Sequence, residues 1–459
     1  MPVFSSLSSF FNRHKRKLIV TSAFAVSAYF LIDHFIVKKF RNFQNSLKQE
    51  LIFKQQIKQR FIQTQQDCYH TILALLPVLT APIVDSLPVE LITKALRLKK
   101  NNPGPSPNAN NGDNSQLTTD NLNLLENNQN PDSELAVYLS KSKIELWNLL
   151  KIKTITRTLT LIYAISGLLL ITRVQLNILA RRSYLESAIL MAGVKSTSTA
   201  ESINPQENYI IEQTYLSLSW WLLNKGWANL HSLIEPLVVK HFESINPKSE
   251  LSISDFQGIL SDIVNELNHP SVNISENLFP IHYDDVVESL LNVNPELISQ
   301  LDSPESNLFK LVNETKSIIS NDNASYFHNL FSTLVTSSLN TLHGNLLVNL
   351  QGGSSSLLLN SSTDLKEEKI VDLESINTRF KLASFLAQLS VQNGIIIDNN
   401  NIKYEEEDDI EGFINNLSNP DGFGNGPKNL ELSGNAYVNE INNLDELDEF
   451  SAGIYSNFE

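Results

Sequence analysis

The feature that most constrains this chain is an almost wholly apolar run at 159–172, LTLIYAISGLLLIT, inside an otherwise polar sequence. Such a run either crosses a membrane or fills the core of a folded domain. Arg157 and Arg173 bracket only 15 uncharged residues, whereas a membrane span needs ~20 apolar residues to cross a hydrocarbon layer of ~30 Å. The length therefore favours a buried core segment, and a membrane span is the alternative.

The residues around the run predict one long helix. Ser142 and Glu145 have the spacing of a capping box. No proline interrupts residues 132–204, so a helix from about Ser142 to Gly193 would extend roughly 75 Å. We interpret it as the spine of a bundle. The apolar residues that recur at helical steps of three and four along its first half are Ile144, Trp147, Leu150, Ile155, Leu159 and Ile162.

The predicted fold is all-α: an elongated helical bundle around one long central helix, preceded by an N-terminal transmembrane helix. No convincing alternating strand pattern separates the helical segments. Pro77 and Pro82 are expected to kink or end the helix that begins near residue 40. The other segments with helical periodicity are 40–61, 88–100, 208–241, 256–267, 284–301, 308–320, 324–347 and 373–391.

Residues 18–37, LIVTSAFAVSAYFLIDHFIV, are the best candidate for a membrane span. A cleaved signal peptide would begin in a similar way, but no small-x-small cleavage site follows, so we interpret the segment as an uncleaved anchor. Basic residues flank it on both sides and barely select an orientation; a cytosolic C-terminal body is preferred. The side chains expected in the bilayer are Leu18, Ile19, Val20, Phe24, Tyr29, Phe30, Leu31 and Ile32.

Composition divides the rest of the chain. Residues 1–17 are a short basic N-terminal segment, and residues 38–398 are expected to form the cytosolic helical bundle. Within the bundle, the segment 101–131 is rich in Asn, Pro, Gly and Ser, which predicts a disordered insertion. A glycine- and serine-rich segment at 352–369 predicts a mobile loop.

Charge is distributed unevenly. Residues 1–60 carry 11 Lys and Arg against 2 acids, whereas residues 401–459 carry 2 Lys against 14 acids. The region 399–459 is therefore predicted to be an acidic, mostly disordered tail. Because the basic residues flank an apolar segment and form no patch with exposed aromatics, nucleic acid is not an expected partner.

Motifs for catalysis, metal binding or cofactor binding are missing. The nine histidines form no HExxH pattern, and neither a phosphate-binding GxxxxGK[ST] loop nor a GxSxG nucleophile motif occurs. The single cysteine, Cys68, has no adjacent Lys or Arg to lower its pKa. We therefore expect no enzyme, no catalytic residues, no metal and no cofactor.

Three long stretches carry a resemblance to a known family. They are FFNRHKRKLIVTSAFAVSAYFLIDHF, KQQIKQRFIQTQQDCYHTILALLPVLT and SKIELWNLLKIKTITRTLTLIYAISGLLLITRVQLNILARRSYLE. Together they resemble the fungal members of the peroxisomal biogenesis factor 3 family, the third peroxins. The resemblance is dense over residues 10–98 and 141–187 and general beyond them.

The resemblance implies a non-enzymatic protein of the peroxisomal membrane, held by its N-terminal span among membrane lipids, with its body in the cytosol. The endoplasmic reticulum is a further location during biogenesis. Members of the family bind the N-terminal amphipathic helix of the cytosolic receptor and chaperone for peroxisomal membrane proteins, the nineteenth peroxin. In fungal relatives the body also engages factors for peroxisome retention, motor-driven inheritance and selective degradation.

The resemblance also implies a receptor-binding groove. The family's groove uses a tryptophan in a segment similar to KIELW, which places it at Trp147. Lys143 and Leu150, one turn to either side, match its neighbours, and Leu96 in TKALRL is a further groove residue by resemblance. From the residues alone, a buried core side chain is the favoured interpretation of Trp147; the resemblance favours the docking role instead.

Two other functional classes stay open at this point. One is a two-span channel or translocation subunit, with residues 158–172 in the bilayer; the other is a lipid-handling protein with an apolar cavity. Glycosylation would separate the topologies, because acceptors in the secretory lumen would be modified. The acceptor residues are Asn273, Asn313, Asn323, Asn360 and Asn416.

Overall fold

A computed structural model of the chain describes residues 38–101, 133–191, 205–269, 272–320, 324–352, 378–398 and 434–457. The predicted anchor at 18–37, and nearly all of the predicted insertion and mobile loop, lie outside these residues. The chain divides into two compact units, Met1–Thr64 and Gln65–Glu459. All packing described below lies within the second unit.

The described residues are almost entirely helical. The first four helices are α1 (Lys38–Ser86), α2 (Val89–Asn101), α3 (Ser133–Ser140) and α4 (Lys143–Met191). Helix α5 (Pro205–Leu216) continues through a 3₁₀ turn (Ser217–Ser219) and a π-helical turn (Leu222–Gly226) into α6 (Trp227–Phe242). Next come α7 (Ile253–Leu267), α8 (Ser275–Leu278), α9 (Tyr283–Val293), a 3₁₀ helix (Pro295–Asp302), α10 (Asn307–Ser320), α11 (Ala324–Gly352), α12 (Leu382–Ile397), α13 (Ala436–Asn442) and α14 (Asp445–Ser456).

Helix α4 is the predicted spine. It runs for 49 residues, and the predicted capping box is present at its start. The Ser142 amide donates to Glu145 Oε2 at 2.7 Å, and the Glu145 amide donates to Ser142 Oγ at 3.2 Å. Helices α2, α6, α11, α12 and α14 all pack against α4. The predicted all-α bundle around one long central helix is confirmed.

The apolar run of α4 is protein core. Two stretches of the described residues, Lys54–Lys99 and Lys143–Ile189, are long and apolar enough to cross a membrane. The most apolar window is 44% buried in the first but 94% buried in the second. A helix that is apolar on all sides needs a partner on every side, and here the other helices supply it. The two-span alternative is therefore not supported.

Two glycines allow a close approach to the short helix α8. A Cβ at Gly167 on α4 would lie 2.4 Å from Leu278 Cδ2, and one at Gly226, in the π-helical turn, would lie 1.9 Å from the Asn277 carbonyl oxygen. Trp221 Nε1 donates to the Glu276 carbonyl at 2.9 Å. Helix α8 is thus held between the π-helical turn and the spine.

Helix α1 continues through Pro77 and Pro82, so neither proline ends the helix. Two other local expectations differ from the structure. Two three-residue strands, β1 (Glu250–Ser252) and β2 (Arg379–Lys381), pair antiparallel although no strand was expected. The helix expected at 373–391 begins at Leu382, after β2, and continues to Ile397.

The prediction of a mostly disordered tail is wrong for residues 434–457. They form α13 and α14, whose buried apolar side chains join the main core. Asn435 connects α13 to the end of α12: its Nδ2 donates to the carbonyls of Ile395, Ile396 and Asp398 at 3.1, 2.7 and 3.1 Å. Its Oδ1 accepts bonds from two amides in the first turn of α13. The remainder of the predicted tail lies outside the described residues.

Candidate functional site

A groove of about 960 Å³ opens beside the start of α4. Four parts of the fold line it: α2, the first two turns of α4, the loop that follows α6, and the junction of β2 with α12. The lining residues are Thr93, Leu96, Arg97, Lys143, Ile144, Trp147, Asn148, Leu150, residues 243–248, Lys381 and Ala383.

All four residues expected from the resemblance line this groove. On α4, Lys143, Trp147 and Leu150 share one face because they are spaced by four and three residues. Leu96, on α2, and Leu150 are each only 7% exposed. Lys143 is exposed and Trp147 is partly buried. The structure therefore brings the four side chains together at one surface, with a deep apolar part and an exposed cation.

Trp147 is supported by a small hydrophobic cluster distinct from the main core. The cluster's buried members come from α2 and α4, and Trp147 packs against them while remaining partly exposed in the groove. The alternative that Trp147 is simply a core side chain does not describe this position. The buried members of this support cluster are Val89, Ile92, Ala95, Leu96, Leu146 and Leu150.

Polar contacts hold α2 against α4 beneath the groove. Arg157 Nη1 donates to both carboxylate oxygens of Glu90 at 2.8 Å, and Arg157 itself is 3% exposed. Lys99 Nζ donates to the carbonyl of Lys141, just before α4 begins. These contacts fix the relative position of the two helices, and with it the position of the apolar side chains that line the groove.

A second wall of the groove is the loop 243–248, which we call the wall loop. Lys151, 1% exposed, donates from Nζ to the carbonyls of Phe242, Glu243 and Ile245 at 2.6, 3.3 and 2.7 Å. Burial lowers the pKa of Lys151, and the Glu243 carboxylate opposes that effect. On the other side, the amide of Ala383 donates to the Pro247 carbonyl at 3.1 Å. The wall loop is therefore bonded to both α4 and α12.

The rim of the groove is basic. Arg97, Lys143, Lys248 and Lys381 are exposed there, against one exposed acid, Glu243. Within the described ranges none of the four cations forms an ion pair. The whole chain carries a net charge of -15, so this local excess of positive charge is opposite in sign to the protein.

Outside the groove, the single cysteine and a second cavity show no features of a reactive or ligand-binding site. Burial raises the pKa of the Cys68 thiol to about 12, so at neutral pH it stays protonated and unreactive. A second cavity, between α7 and α11, measures about 130 Å³, below the ~300–1,000 Å³ typical of small-molecule sites. That volume gives the lipid-handling alternative no support.

The wall loop and the basic residues other than Lys143 were missed by sequence reasoning. The wall loop and Lys381 lie about 100 and 234 residues after Trp147, and Arg97 lies 50 residues before it. No local pattern links them to Trp147. The one signal present was Lys151, a lysine on the otherwise apolar side of a predicted core helix. A buried cation needs acceptors, and here the wall loop supplies them.

Comparison with known proteins gives a consistent result over the full chain. A family model described as Peroxin-3 matches residues 9–457. Peroxisomal biogenesis factor 3 of Debaryomyces hansenii is 53% identical over 461 residues, covering 100% of both chains. Peroxisomal membrane protein PEX3 of Komagataella phaffii is 33% identical over 469 residues, covering 97% of this chain and 98% of the relative. Peroxisomal biogenesis factor 3 of Rattus norvegicus is 24% identical and covers 75% of this chain and 78% of the relative.

Proposed function

Because this chain belongs to the Peroxin-3 family, we propose that it docks the cytosolic receptor for peroxisomal membrane proteins, the nineteenth peroxin, at the peroxisomal membrane. Family membership makes the chain a non-enzymatic peroxisome biogenesis factor and a peroxisomal membrane protein. Docking is the more specific step. The observation that carries it is the partly exposed Trp147 in a preformed groove.

The groove has the properties that helix recognition requires. An amphipathic helix binds by placing apolar side chains at i, i+3, i+4 and i+7 into an apolar surface. Leu96, Trp147 and Leu150 offer such a surface. A tryptophan held by a rigid helix contributes a large contact area and is the side chain most often found as a binding hot spot. The receptor's N-terminal amphipathic helix is the proposed occupant, and its docking would deliver cargo for insertion.

The proposed topology is a single pass with the body in the cytosol. Residues 18–37 would span the peroxisomal membrane, and the groove would face the compartment in which the receptor circulates. In microsomes, the acceptors at Asn273 and Asn313 should stay unmodified, and external protease should digest the body. Glycosylation at either position would contradict this orientation.

The docking proposal is tested with the full-length chain in lipid nanodiscs. Immobilised chain should retain the purified receptor, and a peptide of the receptor's N-terminal helix should compete for the same site. A receptor lacking that helix is the matched control and should not be retained. Retention of the truncated receptor at equal affinity would place the contact elsewhere on either protein.

The proposal extends to the retention, inheritance-motor and degradation factors that fungal relatives engage, on surfaces that we do not assign. Binding to full-length chain that carries Trp147→Ala distinguishes partners that use the receptor's groove from partners that bind elsewhere. A factor that binds the variant as well as the unaltered chain uses another surface.

A further inference from the structure

The second wall of the groove has no role in the docking described so far. We propose that the wall loop and Lys381 form a basic wall that recognises acidic side chains flanking the apolar anchors of the docked helix, and that Lys151 positions this wall. The inference rests on the proposed function, because the occupant is the helix that contacts Trp147. It adds a charge requirement and a positioning residue to that contact.

Charge complementarity identifies the partner's chemistry. Lys248 and Lys381 on the second wall join Arg97 and Lys143 on the first, so cations line both sides of the apolar surface. All four are exposed and without ion-pair partners in the described part of the chain. A helix with acidic residues on both sides of its apolar stripe would pair with them. The chain as a whole carries a net charge of -15, so this local excess of positive charge would attract such a helix to the groove.

Lys151 is built to hold the wall loop in one position. An ammonium group has three N–H donors, and all three find acceptors in the carbonyls of Phe242, Glu243 and Ile245. The last carbonyls of a helix have no N–H donors within it, and Lys151 supplies donors to them at the end of α6. Lys151 also lies one helical turn after Trp147. The position of the wall is therefore tied to the residue that anchors the partner.

The wall has a second attachment on its far side. Leu382 and Ala383 donate their amides to the carbonyls of Ser249 and Pro247 at 2.9 and 3.1 Å, and β1 pairs Glu250 with Lys381. The side chains of Lys248 and Lys381 are thus presented from backbone that is bonded to α4 on one side and to α12 on the other. Fixed charges lose less entropy when they pair with a ligand than mobile ones do.

The first test measures the association rate of the receptor's N-terminal peptide with the full-length chain in nanodiscs. Lys248→Gln/Lys381→Gln should slow association roughly three- to tenfold at low salt, since rim charges act mainly on the on-rate. The difference should vanish near 1 M salt, where the Debye length is ~3 Å. The matched control is Lys94→Gln/Lys310→Gln, two exposed lysines outside the groove, which should change the rate less than twofold.

A second arm uses the same peptide with its Asp and Glu residues changed to Asn and Gln. This peptide should bind the unaltered chain and the Lys248→Gln/Lys381→Gln chain at equal rates. Equal rates for the acidic peptide as well would overturn the basic wall, while a retained effect of Trp147→Ala would leave the docking function standing. If Trp147→Ala has no effect either, the docking proposal itself fails.

The role of Lys151 is tested by a double-mutant comparison. In a Lys151→Met background, Lys248→Gln/Lys381→Gln should change association less than twofold, because the wall is no longer held in place, whereas Trp147→Ala should keep its full effect. Lys151→Arg, which keeps the donors, should restore the charge effect. An undiminished charge effect in Lys151→Met would refute the positioning role. If Lys151→Met fails to fold, Lys151→Gln carries the same comparison.

Discussion

The start of α4 and its middle are neighbours in sequence, but their environments are opposite. Every residue from 154 to 175 is buried, so this part of the helix is surrounded by protein. At 143–150 only two residues are buried, and Ile144 is 76% exposed. The same regular helix is core in one part and lines an open groove in the other.

This difference shows that apolar content alone does not decide which part of α4 is buried. Ile144, Trp147 and Leu150 continue the apolar periodicity of the core without a break. What changes is the number of neighbouring helices: at its start α4 is packed mainly by α2 and the wall loop, and one side is left open. The predictions below test whether stability and binding separate along the helix in the same way.

The largest effect is expected in the buried middle. Leu168 is fully buried, and Leu168→Ala should lower the free energy of unfolding by ~2–5 kcal/mol through lost burial and a residual cavity. Chemical denaturation measures it. Ile144→Ala is the matched control at the exposed end and should change stability by less than ~0.5 kcal/mol. Similar losses at both positions would abolish the distinction between the two ends.

The next effect concerns binding. Trp147→Ala should weaken receptor binding by ~2 kcal/mol or more, about 30-fold in Kd, as truncation of a hot-spot side chain does, with little change in melting temperature. Calorimetric titration and thermal unfolding of the same sample measure both. Trp220→Ala, at a partly buried tryptophan outside the groove, is the control and should leave affinity unchanged. If the Trp147→Ala chain has a lower melting temperature but an unchanged affinity, Trp147 acts in packing and not in binding.

A smaller effect is expected at the boundary between the two parts. Glu90→Gln removes the carboxylate that faces the buried guanidinium of Arg157. Since Glu90 is itself largely exposed, the loss of stability should be about 1.5 kcal/mol, less than for a fully buried pair. The control is Glu186→Gln, which breaks the surface pair with Arg182 and should cost no more than ~0.5 kcal/mol. Equal effects would mean that Arg157 does not depend on Glu90.

The smallest effect is expected at the capping box of α4, formed by Ser142 and Glu145. Ser142→Ala removes a cap and should lower stability by ~0.5–1 kcal/mol. Hydrogen bonds from the Ser142 backbone amide and, to a smaller extent, from its hydroxyl hold the pKa of Glu145 below its ordinary value of 4.5. Their contribution is therefore present above pH 4.5 and is lost as the pH falls through the lower folded-state pKa. NMR titration should show the Glu145 pKa rising in Ser142→Ala; an unchanged pKa would show that the side-chain bond does not form in solution.

Local patterns were sufficient to predict the long helix that forms the spine. The capping spacing of Ser142 and Glu145, the uninterrupted periodicity and the absence of proline are all local signals, and α4 follows them within two residues at each end. The residues at Trp147 came from a resemblance, not from the pattern. Periodicity alone could not distinguish an exposed anchor from a core side chain, since both lie on the apolar face.

The rest depends on tertiary structure. The wall loop lies about 100 residues after Trp147, and the bonds of Lys151 and of the Ala383 amide hold it at the groove. The helices at 434–457 were hidden by composition: the segment is acidic and rich in Asn, although its buried apolar side chains are spaced as in helices. Asn435 connects these helices to the end of α12. In the sequence, nothing distinguishes it from the other asparagines of this Asn-rich region.

The bonds of Asn435 also link two helices that are distant in sequence. Asp398, at the end of α12, and Asn435, just before α13, are joined by a single side chain, from Nδ2 to a carbonyl oxygen at 3.1 Å. The same side chain accepts bonds from two amides in the first turn of α13. One amide group therefore ends one helix and begins the next, so a substitution at Asn435 would loosen both helix ends at once.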